Sequence, residues 1–109
     1  MSPSSEAVAQ IYFNYQTNLN AMVDACPLQT DKDYIANKLT QARTNYYACL
    51  NKAFQDNDPQ LKLLVTQAEA SAETLKHIED YLAEVSKVID AVTDAVSVGS
   101  KIAAKVIAL

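Results

Sequence analysis

The single histidine, His77, shares a helical ridge with Glu73, Asp80 and Glu84, at successive spacings of four, three and four residues. An imidazole flanked by carboxylates can hold a metal or relay a proton between an acid and a base. A di-metal centre in a helical bundle also needs carboxylates turned inward from other helices. The two preceding helical segments have no carboxylate in their middles except Asp24, near an end, so the ridge reads as a solvated charged face and no metal or cofactor is expected.

Two cysteines, Cys26 and Cys49, raise the question of a disulfide. In the antiparallel hairpin derived below they lie about 30 Å apart, far beyond the roughly 7 Å limit on Cα separation. Both therefore read as small apolar core residues. Six tyrosines invite a radical or cofactor role, but no ligand set accompanies them. Tyr12, Tyr15 and Tyr46 fall on apolar seams and are expected to bury their rings and give their hydroxyls to nearby Asn, Gln or water. Tyr34, Tyr47, Tyr81 and Phe13 lie off the seams and are candidates for a second contact surface. With no Gly-rich phosphate loop, nucleophile elbow or Cys-x-x-Cys pair, the chain is not expected to be an enzyme.

One glycine and three prolines in 109 residues leave almost no turn chemistry for a sheet. With 50% apolar and 20% charged residues, the chain reads as one all-α domain. Nine basic against thirteen acidic residues, a net charge of -4, argue against nucleic acid, whose binding rests on phosphate neutralisation. The first residues lack the basic start and apolar core of a secretory signal, so the cytoplasm is the expected compartment.

The elements follow from a period near 3.5 residues. Val8, Tyr12, Tyr15, Leu19, Met22 and Cys26 form one seam. With Ser2 or Ser4 as cap, Pro3 near the start and Pro27 as a stop, it predicts a helix over about residues 4–26. Thr30 as cap with Asp33 in the first turn opens a second helix, and Ile35, Leu39, Ala42, Tyr46, Cys49 and Ala53 carry its seam over residues 31–55. Antiparallel pairing of these two sets Tyr12 against Tyr46, Tyr15 against Ala42, Met22 against Ile35 and Val8 against Cys49.

Asn57, Asp58 and Pro59 close the second helix and start a third, whose seam runs from Leu61 to Val106 with no break in register. A continuous helix over 59–107 would be about 70 Å long beside partners of about 35 Å. The expected fold is thus an antiparallel hairpin packed on a long C-terminal helix in a coiled-coil-like bundle. A closed four-helix bundle, folding back near Ser86, is the alternative. It is disfavoured because residues 78–98 contain no turn signal.

An overhanging amphipathic helix needs a partner. Residues 85–109 are the expected oligomerisation segment, with Val85, Ile89, Val92, Val96, Gly99, Ala103 and Val106 facing a second copy in a homodimer or a partner helix. Asp90, Asp94, Lys101 and Lys105 would set an antiparallel register. Ala91, Ala95, Gly99 and Ala103 recur every fourth residue, a stripe that permits close helix approach. The sequence therefore points to a non-enzymatic assembly or interaction protein. The alternative is a membrane-active protein whose C-terminal helix binds or enters lipid through Ile102, Val106 and Ile107. One net positive charge from residue 85 onward gives that alternative little electrostatic help.

Overall fold

The computed structural model describes residues 2–107. It is all-helical: α1 (Pro3–Thr17), α2 (Leu19–Ala25), α3 (Gln29–Cys49), α4 (Pro59–Lys76), a 3₁₀ turn (Ile78–Tyr81) and α5 (Val85–Ala103). These pack as a bundle of four rods, with α1 and α2 together forming the first. The alternative weighed above, the closed bundle, is the one adopted.

The continuous helix over 59–107 is therefore corrected. The chain turns back between His77 and Glu84, and α5 returns along α4 and α3. No glycine or proline marks this turn; burial makes it. Leu75 and Ile78 are fully enclosed at the bundle end, where the 3₁₀ turn meets α2. Folding back also encloses Val88, Val92, Ala95 and Ile102, which an extended helix would leave in water. Each large aliphatic side chain so buried is worth about 1.5–3 kcal/mol, more than the few helical hydrogen bonds given up at the break.

Hydrogen bonds fix the arrangement. Asn14 Nδ2 donates to the Ala72 carbonyl and Asn18 Nδ2 to the Leu75 carbonyl, each at 3.0 Å, so α1 and α4 run side by side in the same direction. Tyr34 and Thr93 share a 2.6 Å hydroxyl contact, and Asn45 donates to Ser100 Oγ at 3.1 Å, which makes α3 and α5 parallel as well. α1 with α3, and α4 with α5, are antiparallel neighbours. Residues 50–58 cross the end of the bundle diagonally to join α3 to α4.

The other predicted ends shift for local reasons. Asn18 interrupts the first helix: its side chain also donates to the Asn14 carbonyl at 3.0 Å, inserting into the ladder and separating α1 from α2. The second helix begins at Gln29 without a side-chain cap, rather than on Thr30. It ends at Cys49, because Asn51 adopts a left-handed conformation (φ 58°) just beyond, which asparagine tolerates as a helix stop. α4 opens at Pro59 with the Asp58 carboxylate accepting from the Gln60 N–H at 2.9 Å.

Candidate interaction surface

The residues expected to face a second chain lie mostly inside this one. Val92, Val96 and Gly99 are buried, and Val85, Ile89, Ala103 and Val106 are half-buried against the same core. The fold-back gives them α3 and α4 as partners, so the predicted seam is filled within the monomer. The small-residue stripe serves that packing: α3 approaches α5 closely where Asn45 lies against Gly99. Lys105, expected to set a cross-chain register, is 3.8 Å from Asp58 and donates to Gln60 Oε1 at 3.2 Å.

The fold-back also divides the charged ridge. Glu73 and His77 remain in contact at 3.0 Å on the surface, while Asp80 falls in the 3₁₀ turn and Glu84, just before α5, pairs with Lys87 at 2.9 Å. Among the described residues no group of three or more His, Cys, Asp or Glu is placed to hold a metal. A cleft of about 420 Å³ between α1 and α4 is lined in part by Glu6, Glu69, Glu73 and Lys76, and one of about 520 Å³ between α4 and α5 by Leu63, Leu64, Lys101 and Lys105.

Both cysteines are free and buried. Cys26 caps the end of α2, with its thiol 3.3 Å from the Met22 carbonyl. Cys49 lies at the opposite end of the hairpin, where Ser5 Oγ donates to its carbonyl at 2.6 Å. Burial pushes the Cys49 thiol up to about 11 and raises that of Cys26 as well, so both are held neutral and are poor nucleophiles.

Among the described residues, the aromatic side chains of α1 and α3 form a concentrated exposed feature. Tyr15 is fully buried, and its hydroxyl donates to the Ile35 carbonyl, a backbone acceptor rather than the Asn, Gln or water expected. Tyr12 stacks on Tyr46 with ring centres 5.3 Å apart, the cross-hairpin pair that antiparallel packing demands. Phe13 follows Tyr12 and Tyr47 follows Tyr46, so two aromatic doublets meet across the α1–α3 groove. The Phe13 ring lies 5.2 Å from Tyr46 and 5.6 Å from Tyr12, and Tyr47 lies 5.2 Å from Tyr46. Phe13 is 42% exposed and Tyr47 62%.

Arg43 borders these rings. Its guanidinium carbon is 5.8 Å from the Tyr12 ring centre, and Nε donates to the Tyr12 hydroxyl at 3.0 Å, which strengthens its hold on its proton. Of the four off-seam aromatics, Phe13 and Tyr47 join one cluster, each packed against Tyr46. Tyr34 bonds Thr93 on α5, and Tyr81 sits under Lys87 at the far turn.

Sequence reasoning missed Arg43 and the bridging role of Tyr46. The signal was present as a distribution of charge. Residues 7–23 carry no charged side chain, and residues 34–55 carry Lys38, Arg43 and Lys52 with no acid. The thirteen carboxylates all lie elsewhere.

Among the described residues no helix is long and apolar enough to cross a membrane. Comparison of the chain with protein-family models, with curated proteins and with solved structures found no match.

Proposed function

We propose that this chain is a non-enzymatic interaction protein whose contact surface is the α1–α3 face centred on Phe13, Tyr46, Tyr47 and Arg43. The observation that carries this reading is the exposed ring cluster itself. Phe13 and Tyr47 stay exposed beside the buried Tyr12 and the half-buried Tyr46, on a stretch of α1 and α3 poor in charge. Folding alone gains little from such exposure, whereas Tyr, Phe and Arg amid few other charges are the composition of interface centres. The assembly role expected of residues 85–109 passes to this face, since the apolar side of α5 is covered within the bundle.

The test is selection of a random peptide library displayed on phage against the full chain, with a Phe13→Ser/Tyr47→Ser variant as control. Clones enriched on the wild-type chain and lost on the variant support the reading. Clones that bind both proteins equally, or no enrichment on either, overturn it.

A further inference from the structure

We infer that the α1–α3 face takes a peptide segment of another protein in which an Asp or Glu side chain stands beside an apolar residue, the carboxylate pairing with Arg43 and the apolar group lying on Phe13 and Tyr47. This rests on the reading of that face as a binding surface, and it specifies what the surface binds.

Arg43 is the chain's only arginine, and among the described residues no carboxylate pairs with it. Its Nε–H is taken by the Tyr12 hydroxyl at 3.0 Å, and this bond together with the adjoining ring orients the guanidinium. The four N–H groups on the two terminal nitrogens remain a planar fork, the geometry that a carboxylate accepts with both oxygens. Pre-orientation by Tyr12 lowers the entropy lost on pairing.

A symmetric copy centred on the ring patch would bring two Arg43 side chains together and supply no acid from the patch, because the acids of α1 and α3, Glu6, Asp31 and Asp33, lie nearer the starts of those helices. Residues 7–23 have no charge, and residues 34–55 have only cations. The face is not complementary to itself, so the carboxylate must come from another chain. One guanidinium matches one carboxylate, whereas a phosphate group carries close to two charges and calls for a cluster of cations.

Tyr12, Phe13, Tyr46 and Tyr47 form a band of rings across the groove between two helices, with successive centres 5.2–5.6 Å apart. Such a band accepts a flat apolar group, an aromatic or proline ring or a leucine, immediately beside the guanidinium.

The experiment sequences the clones selected on the wild-type chain. Their peptides are synthesised, and dissociation constants are measured for the wild-type chain, Arg43→Gln and Arg43→Lys. The expected consensus places Asp or Glu next to Phe, Trp, Leu or Pro. Arg43→Gln weakens binding about tenfold or more, and Arg43→Lys restores it only in part, because the ammonium lacks the fork. Changing the peptide's acid to its amide loses the same factor, and Arg43→Gln then adds no further loss.

Peptides that need Phe13 and Tyr47 but hold no acid, or that bind Arg43→Gln unchanged, overturn the carboxylate assignment and leave the binding surface standing. Self-association of the chain that Phe13→Ser/Tyr47→Ser abolishes makes a second copy the occupant and overturns the inference. Absence of any clone dependent on the rings overturns both readings.

Discussion

The Asn45 side chain lies directly over Gly99, so close that a methyl group at position 99 would stand 3.2 Å from Asn45 Nδ2. That amide donates to Ser100 Oγ at 3.1 Å, and its carbonyl oxygen accepts from Gln41 at 3.0 Å. The chain's one glycine thus marks where α3 and α5 cross, and a buried polar residue is satisfied there by both helices. Gly99→Ala sets a helix-propensity gain of about 1 kcal/mol against a shift of the Asn45 amide by a few tenths of an ångström. The net change is expected within about 1 kcal/mol. Gly99→Leu exceeds what such a shift can absorb and should lower the unfolding free energy by about 1–3 kcal/mol. Urea denaturation of both variants measures this, and a leucine variant as stable as wild type would mean that the helices do not cross here.

The turn at residues 77–84 has a signature of its own. In a helix interior, an exposed alanine replaced by glycine costs about 1 kcal/mol. Ala70, exposed in α4, should show that cost. Ala83, exposed in the turn, lies outside regular helix and should lose less than about 0.5 kcal/mol as Ala83→Gly. Equal losses at the two positions in urea titrations would restore the continuous helix.

Much of the hairpin was legible in the sequence. The four-three spacing set Tyr12 against Tyr46 because antiparallel neighbours with a short connection leave little freedom of register, and the two rings are stacked. The all-α bundle followed from the lack of turn residues. The fold-back was not legible, because Leu75, Ile78, Leu82 and Val85 keep the heptad unbroken through it, and only the burial gained by α5 makes a turn preferable. The break at Asn18 was hidden for a related reason: the amide that inserts into the ladder at Asn14 also donates to the Leu75 carbonyl on α4, 57 residues away. Phe13 and Tyr47 were recognisable as off-seam aromatics, but which of the four such residues would meet depended on three-dimensional neighbours. Arg43 gave no periodic signal at all.

Packing within the chain covers much of the α5 seam, with Val92, Val96 and Gly99 buried, and leaves less apolar surface for the homodimer that the sequence suggested. Sedimentation equilibrium over a wide concentration range should give the chain mass of 11.9 kDa, with or without reductant, since both thiols are buried. A reductant-insensitive mass near twice that value would show that another face, or an opened α5, joins two chains. The same preparation tests the lipid alternative. α5 turns Lys87, Asp90, Thr93, Asp94 and Ser97 outward, so it must leave the bundle before it can engage a bilayer. No co-sedimentation with anionic or neutral vesicles is expected, and binding lost on making Ile102, Val106 and Ile107 polar would reverse this.

Alkaline pH should unfold the protein through its buried thiols and phenol. Burial raises the Cys49 thiol from an ordinary 9.0 to about 11, and it raises Cys26 and Tyr15 in the same direction. A raised value means that the folded state keeps a proton which the unfolded chain releases. The contribution of Cys49 is therefore fully present below about pH 9 and is lost progressively as pH rises toward about 11. Urea unfolding free energies measured at pH values of about 7, 9 and 11 should fall across the upper interval. Cys49→Ala should flatten that fall, because its side chain has no proton to lose, at the expense of a small constant loss from the vacated sulfur volume. The remaining slope in this variant belongs to Tyr15 and Cys26. A wild-type stability that is level across the interval would mean that water reaches Cys49 and that the end of the hairpin beneath Ser5 is open.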